Sequence, residues 1–351
     1  MPISNGRYVS PTWINNQAPP INASELQAIT DTLENLNGIG TSLRGYIVVG
    51  TTQSGATPST CDYLCDGTAD DIEINRAIQA ASNVSMGVFL LNGIYSIANP
   101  IYPTQNMLIC GQNYGADTSI GVGINNSVGL SPESSSVTNI IVMDGDNDTL
   151  HLKNIGIGSA LAPSPSTLSL INFQTSTGNL YLDNASMYSQ SATGIIGASN
   201  NFSLFASKST IYKSNLSLLS SRLEQCEIYN TQFSNCGALA QGTDNFWIFN
   251  TFYNNVSMTD CQKCTIMGNI FYDSLSLVSG SGSINATCAC NNIMGNTFAA
   301  GNGITLGTGT YYNNVTCNGG VSYQGGTSFT PWSGVTDSGT NNYVANNMPT
   351  S

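Results

Sequence analysis

The sequence predicts an all-β fold: a right-handed, single-stranded parallel β-helix with a short N-terminal helical arm. Short strands that alternate apolar and small polar residues recur about every twenty residues, which is the spacing of a β-solenoid. Asn and Phe recur at fixed places within this repeat. Charged residues make up only 8% of the chain and hydrophobic residues 40%, a balance that suits a turn-rich β protein with a neutral polar surface.

The N-terminal arm is predicted to cover residues 1–43. Prolines punctuate its first 22 residues, and a helix follows. The apolar positions of this helix have the 3-4-3 spacing of a coiled-coil seam and are Leu26, Ile29, Leu33 and Leu36. Two interpretations remain open: an oligomerising bundle on a symmetry axis, or one amphipathic helix packed on its own chain.

The opening of the β-helix is predicted over residues 44–115, with a helix at 69–82. Acidic residues at 66–71 precede the apolar helix positions Ile74, Ile78 and Ala81. They favour helix capping and a tight turn that closes the end of the solenoid. Residues 87–97 read as two strands broken at Asn92-Gly93.

Residues 66–71, the helix ending near Ala81 and the strands at 87–97 together resemble the opening of pectate-lyase-like β-helix proteins. Residues 108–111 look like the next rung of that family. The chain departs from the family in having Leu91-Asn92 where a proline is usual. The resemblance covers about fifty residues. It implies the fold but not an activity, since the superfamily includes lyases, hydrolases, phage tailspikes and adhesins.

The body of the β-helix is predicted over residues 116–326, and residues 327–351 form a tail or cap. One repeated element is a strand centred on Ile228, Ile248, Ile266 or Ile293, followed by Phe233, Phe252, Phe271 or Phe298. A second element alternates as in Leu275-Ser276-Leu277, with Leu150-His151-Leu152 and Leu180-Tyr181-Leu182 as earlier copies. Asparagines recur at one turn and predict a ladder of amide hydrogen bonds; they are Asn230, Asn250, Asn269 and Asn296.

The ten cysteines favour free buried thiols over disulfides, and no cofactor or metal is expected. The spacing of Cys261-x-x-Cys264 and Cys288-x-Cys290 is poor for structural zinc. We therefore expect Cys226, Cys236, Cys261, Cys264, Cys288, Cys290 and Cys317 to point inward. Asp144-x-Asp146-x-Asp148 lacks the later glycine and glutamate of a calcium loop and predicts a polar turn. His151, the one histidine, is expected to face outward without a catalytic role.

If the isoleucines point inward, their neighbours point outward. One outward line is apolar and is made of Tyr212, Tyr229, Phe249, Met267 and Met294. An apolar stripe along a solenoid favours a subunit interface. Together with the seam of the N-terminal helix, it predicts a homotrimer.

A second outward set combines aromatic rings with carboxylates. Trp247, Tyr253 and Tyr272 are candidate carbohydrate-binding residues, because flat rings stack on the apolar faces of sugars. Hydrolysis of a glycan needs a pair of carboxyl groups. The weak catalytic candidates, from which no pair can be chosen, are Glu224, Glu227, Asp244, Asp260 and Asp273. The sequence leaves open whether this surface binds a glycan or also cleaves it.

Residues 8–23 are similar to N-terminal segments of phage tail fibre and tailspike proteins, through Trp13, the prolines and the Ile21-Asn22-Ala23 entry to a helix. This resemblance implies a receptor-binding tailspike in the virion tail, assembled in the bacterial cytoplasm. Its arm, residues 1–43, would bind a tail or baseplate protein, and its β-helix would bind bacterial surface polysaccharide. The alternatives are a polysaccharide depolymerase on the same fold and a secreted pectate-lyase-like enzyme.

The net charge is −12, with only 8 Lys and Arg. Such a chain has little means of neutralising phosphates, so nucleic acid is an unexpected partner. The sequence has no apolar run long enough to span a membrane and no visible secretory signal, so we expect neither membrane insertion nor a leader peptide.

Overall fold

The computed structural model describes residues 45–104, 106–112, 128–145, 148–158, 168–173, 178–188, 193–197, 201–212, 222–229, 232–234, 242–243, 246–252, 256–259, 261–278, 288–299, 303–321 and 334–347, and two short N-terminal strands. The chain divides into two units, Met1–Tyr46 and Ile47–Ser351. In the first unit, strands Ile3–Ser4 and Arg7–Tyr8 pair antiparallel. The helix predicted around Leu26 to Leu36 lies outside the described residues.

The second unit is mostly β, and its strands pair in parallel. This confirms the predicted all-β class. Sheet A begins with Tyr46–Thr51, Tyr63–Cys65, Gly87–Leu90, Met107–Gly111, Asp148–Lys153, Gly178–Asp183, Asn201–Ser207 and Arg222–Tyr229. It continues with two short strands in each repeat: Gly242–Thr243 and Phe246–Ile248, Cys261–Gln262 and Thr265–Met267, Cys288–Ala289 and Asn292–Met294, Thr310–Tyr311 and Asn314–Thr316, and finally Tyr343–Ala345.

Two further sheets take the strands that follow in each repeat. Sheet B contains Gly93–Ile97, Val128–Pro132, Gly156–Gly158, Ser186–Tyr188, Thr210–Tyr212, Gln232–Ser234, Thr251–Phe252, Ile270–Phe271, Thr297–Ala299 and Gly319–Val321. Sheet C is our name for two separately described sheets that follow sheet B in their repeats: Asn139–Met143, Ser169–Phe173 and Thr193–Gly197, and Val256–Thr259, Leu275–Val278, Gly303–Leu306 and Gly334–Asp337. Each strand therefore lies beside the corresponding strand of the next repeat.

The predicted leucine repeats are in register, but they belong to two sheets. Leu150 pairs with Leu180, and Leu180 pairs with Leu204, all in sheet A. The copies at 256–258, 275–277 and 304–306 align with one another in sheet C. The prediction that the earlier and later copies form one element is therefore wrong, because an alternating strand has the same pattern in either sheet.

The core runs along the inner faces of the sheets. Phe252 and Phe271 stack with ring centroids 4.8 Å apart, and Phe271 and Phe298 with centroids 4.9 Å apart, so these three members of the predicted phenylalanine repeat form a buried stack. This spacing follows from the strand separation of about 4.8 Å, which holds equivalent side chains in face-to-face contact. The side chain of the fourth member, Phe233, is not described.

The opening of the second unit contains a 3-10 helix, Thr52–Ser54, and an α-helix, α1, Asp71–Asn83, close to the predicted 69–82. Helix α1 buries Ile74, Ala77, Ile78 and Ala81. The Asp70 carboxylate does not cap this helix. It accepts the N–H of Gly67, which closes the turn, and the N–H of Ser96 in sheet B.

Asp71 continues this connection by accepting the N–H of Ala98. Both aspartates are buried, and burial raises the pKa of the Asp70 carboxyl. The predicted tight turn is therefore confirmed, while the predicted side-chain cap is wrong at Asp70, because these carboxylates tie the turn and helix to a strand.

Candidate carbohydrate-binding face

Two rows of asparagines, buried except at their last members Asn342 and Asn347, fix the corners on either side of the short second strands of sheet A. The first row is Asn250, Asn269, Asn296, Asn318 and Asn347. The second is Asn291, Asn313 and Asn342. At each step, the backbone N–H and side-chain Nδ2 of one asparagine donate to the Oδ1 of the next, as in Asn269 to Asn296, both at 3.0 Å. The side-chain Nδ2 also donates back to a carbonyl of the preceding repeat, as Asn296 does to Ile266 at 2.9 Å.

The predicted ladder is thus confirmed at Asn250, Asn269 and Asn296, while Asn230 lies outside the described residues. Asn318, Asn347 and the whole second row were not predicted from the sequence. The spacing Asn-x₄-Asn, seen at 291 and 296, 313 and 318, and 342 and 347, could have revealed both rows. Because every ladder member is hydrogen-bonded to its neighbours, these corners are rigid.

The residue before each asparagine of the first row has left-handed backbone geometry. Its φ is 55° at Phe249, 66° at Gly268, 62° at Gly295 and 56° at Cys317. A side chain here leaves the core, and that of Phe249 is 66% exposed. A Cβ added at Gly268 would lie 2.7 Å from two ring carbons of Phe249, so the ring extends over this glycine.

Sheet B places two more exposed residues after the same corner. Ile270 and Tyr272 are 41% and 39% exposed on either side of buried Phe271. Phe271 pairs with Phe298 in the buried stack. Phe249, Ile270 and Tyr272 form the surface that we name the aromatic patch. Flat, exposed rings on a fixed backbone are suited to stacking on sugar faces.

The three predicted carbohydrate-binding residues have different outcomes. Tyr272 is on the exposed surface, and Tyr253 lies outside the described residues. The prediction that Trp247 faces outward is wrong, because Trp247 is fully buried and pairs with Ile266. Ile248, aligned in the sequence analysis with the inward isoleucines, is instead the partner of Met267.

The residues predicted for the trimer interface are only partly described. Phe249 is exposed at the corner, and Met267 pairs with Met294 on the partly buried outer side of sheet A. For Tyr212 and Tyr229 the structure describes the backbone. Leu26, Ile29, Leu33 and Leu36 lie outside the described residues.

The structure describes the side chain of only one predicted catalytic carboxylate, that of Asp273, so the described residues show no pair of them. Asp273 follows Tyr272, and its Oδ1 accepts the N–H of Ser274. Glu224 and Glu227 lie in the strand Arg222–Tyr229, whose side chains are not described. Asp244 and Asp260 lie outside the described residues.

The sequence analysis missed a second aromatic group on the outer side of sheet A. His151, Tyr181 and Phe205 are in register. The rings of Tyr181 and Phe205 are 4.5 Å apart and nearly parallel, at 7°. Each therefore covers one face of the other. This column could have been predicted by aligning Leu-His-Leu with Leu-Tyr-Leu.

An ion pair lies beside this column. Lys153 Nζ is 2.8 Å from Asp183 Oδ2, and this hydrogen bond lowers the pKa of the Asp183 carboxyl. Burial lowers the pKa of His151, which favours the neutral imidazole at pH 7. A carboxyl with a lowered pKa is poorly suited to act as a general acid, so this group favours binding or structure over glycoside cleavage.

The described cysteines are free thiols. Cys261, Cys264 and Cys288 are buried as predicted. Cys290 and Cys317 are exposed, which corrects the prediction, because both have left-handed geometry at a corner, with φ of 58° and 56°. Cys226 and Cys236 have no described side chains. The turn prediction near Asp148 agrees with its carboxylate accepting the N–H of Gly145.

Among the described residues, Cys65, Asp70 and Glu73 are close enough to share a cation. Each has another role, however. The Asp70 carboxylate holds two backbone N–H groups, Glu73 lies 3.6 Å from Arg76, and burial raises the pKa of the Cys65 thiol. These contacts account for the cluster without a metal.

Comparisons of the chain with models of protein families, with curated proteins and with solved structures find no match. Within the described part of the chain, no helix is long and apolar enough to cross a membrane.

Proposed function

We propose that this protein is a receptor-binding tailspike or tail fibre of a phage or phage-like particle. Residues 47–347 would form a right-handed parallel β-helix, and the aromatic patch would bind bacterial surface polysaccharide. The subunits would assemble as a trimer, attached to the tail or baseplate through residues 1–43. The exposure of Phe249 and Tyr272 on a corner fixed by asparagines carries the proposal for glycan binding.

The parallel pairing of successive repeats supports the β-helix. Each repeat supplies strands to the sheets in the order A, B, C, and each strand pairs in parallel with its counterpart in the next repeat. Connections between parallel strands of one sheet are right-handed in nearly all proteins, which is the basis for the proposed hand.

The row of Met267 and Met294 supports the trimer. Both side chains lie on the outer side of sheet A, where an apolar row favours contact with another subunit. The phage assignment rests on the resemblance of residues 8–23 to tail proteins. Light scattering that gives the mass of one chain would rule out the trimer.

Binding to purified lipopolysaccharide and capsular polysaccharides tests the proposed function. We expect Tyr272→Ala and Phe249→Ala each to weaken binding about tenfold, which corresponds to about 1.4 kcal/mol. Tyr343→Ala is the matched control, because Tyr343 is 61% exposed but lies in the last strand of sheet A. Wild-type protein that binds none of these polymers, or patch variants that bind like wild type, would contradict the proposal.

A pair of glycine variants tests the geometry without removing a ring. Gly268 and Gly295 have nearly the same positive φ, so alanine costs about 1 kcal/mol of stability at either site. Only at Gly268 would the new Cβ displace the Phe249 ring, since nothing lies within 4 Å of a Cβ at Gly295. We therefore expect Gly268→Ala to weaken glycan binding and Gly295→Ala to leave it unchanged.

The same incubations distinguish binding from cleavage. Release of reducing ends or unsaturated sugars by the wild type would favour the depolymerase alternative. In that case Asp273→Asn, which changes the described carboxylate next to the patch, becomes the first variant to assay.

A further inference from the structure

The chain around and beyond the aromatic patch has almost no positive charge. From residue 264 to residue 351 the sequence contains no Lys, Arg or His, and its two acidic residues there are Asp273 and Asp337. Asp273 directly follows Tyr272, so the charge nearest that ring in the sequence is negative.

The nearest described cations lie toward the edges of the patch. Lys263 is five residues before Gly268, at most about 16 Å along the chain at 3.3 Å per residue, and lies at the corner before the strand Thr265–Met267. Lys208 precedes Phe249 by two repeats at the same corner, because Ser207 pairs with Tyr229 and Tyr229 with Ile248. At a strand spacing of about 4.8 Å, this is about 10 Å from Phe249 and farther from Tyr272. Both are separations between backbone positions, and both exceed the screening length of about 8 Å at physiological salt, so an extended Lys208 side chain reaches at most the Phe249 edge of the patch.

The polar groups next to the patch are uncharged. Thr251 and Thr297 flank Ile270 in sheet B, and Thr265 pairs with Asn292 in sheet A. Hydroxyl and amide groups donate to and accept from sugar hydroxyls and acetamido groups. They do not replace the cations that a carboxylate, sulfate or phosphate requires when it leaves water.

Resting on the proposed function, we infer that the patch selects neutral glycans: polymers of hexoses, deoxyhexoses or N-acetylated sugars without carboxylate, sulfate or phosphate groups. An acidic polymer would bring anionic groups against Asp273 and a protein of net charge −12 without a cation to pair with them. A neutral polymer carries no such penalty and keeps the stacking on Phe249 and Tyr272.

The test compares acidic capsular polysaccharides with the same polymers after carboxyl reduction, alongside neutral O-polysaccharides. We expect neutral or reduced polymers to bind at least about tenfold tighter than acidic parents. We also expect neutral binding to change less than about twofold between about 0.05 M and 0.5 M salt, because no ion pair is screened. Tighter binding of an acidic parent than of its reduced form would overturn the inference while leaving glycan binding intact. Failure of every polymer to bind would instead contradict the proposed function.

A gain-of-charge variant gives a second readout. Thr297→Lys places a cation beside Ile270, and Thr297→Gln is its neutral control. We expect only the lysine variant to improve binding of acidic polymers. Suppose that both variants bind a neutral polymer with wild-type affinity and bind an acidic polymer equally well. That result would show that charge does not determine selection at this site.

Discussion

Removing one side chain from the middle of the asparagine ladder is expected to destabilise the protein strongly. Asn296→Ala deletes four hydrogen bonds: two that Asn269 donates to Oδ1, and two that Nδ2 donates to Ile266 and Asn318. Asn269 and Asn296 are buried, so water cannot readily replace these bonds. The N–H of Asn269 loses its acceptor, and the Ile266 carbonyl loses a donor. Each buried group left in this way costs about 1–3 kcal/mol. We therefore expect the free energy of unfolding to fall by about 3 kcal/mol.

The matched control is Asn347→Ala at the end of the same row. It removes the same chemical group and three hydrogen bonds, from both nitrogens of Asn318 and to the Val315 carbonyl. These bonds are only partly buried, so water can take over part of their role, and we expect a loss of about 1 kcal/mol.

Equilibrium denaturation in urea, followed by tryptophan fluorescence, measures both variants. Hydrogen exchange read by mass spectrometry localises the effect, because the amide of Asn269 should exchange faster in Asn296→Ala than in wild type. If Asn296→Ala costs no more than Asn347→Ala, or if the Asn269 amide stays protected, the ladder does not hold the corner as we argue.

Two further predictions concern the core and the surface ion pair. Phe271→Ala opens the buried phenylalanine stack and should cost about 3–5 kcal/mol in urea denaturation, whereas Ile270→Ala, exposed one residue away, should stay within about 0.5 kcal/mol. The hydrogen bond from Lys153 lowers the pKa of Asp183 in the folded state. The pair therefore stabilises the fold at pH values above the unfolded carboxyl pKa of about 4. This stabilisation is lost as the pH falls through the lower pKa of the folded state. Lys153→Ala should therefore cost about 0.5 kcal/mol at pH 7 and less near pH 3; an unchanged difference at both pH values would contradict this assignment.

Much of the β architecture could be predicted from the sequence, because the same residue type recurs at equivalent positions of neighbouring strands, where the side chains contact one another. The Phe252, Phe271 and Phe298 repeat and the three asparagines of the first row were found for this reason. The helix over residues 69–82 was found from its apolar spacing and the acids before it.

The error at Trp247 came from matching residue type instead of spacing. Ile266 and Ile293 both lie three residues before a ladder asparagine, and so does Trp247 before Asn250. Ile248 lies only two residues before it and so faces the other way. Counting back three residues from the asparagine places Trp247 in the core, in line with Ile266 and Ile293. Residue type alone disfavours this assignment, because the Trp ring is much larger than an isoleucine side chain.

The exposed corner side chains could not be predicted in the same way. Phe249 is exposed as predicted, but that prediction followed from placing Ile248 inward, which is wrong. Left-handed backbone geometry is usual for glycine but not for cysteine, so nothing in the sequence indicates that Cys290 and Cys317 leave the core. An asparagine of the ladder follows Phe249 and each of the two cysteines. This asparagine fixes the corner and directs the preceding side chain outward.

This arrangement separates what the fold requires from what a ligand would contact. The asparagines in the interior of the ladder, such as Asn269 and Asn296, are buried and bonded on both sides, so their substitution is costly. The position before the asparagine lies at the surface of the corner and holds residues as different as Phe249, Gly268 and Cys317, with Lys208 at the same corner two repeats before Phe249. Since these side chains do not contribute to the core, the corner tolerates changes in ring, charge or size at little cost to strand register. A surface of this kind can acquire a new binding specificity one residue at a time, which is why we place the proposed glycan site at this corner and not on the flat, mutually stacked rings of Tyr181 and Phe205.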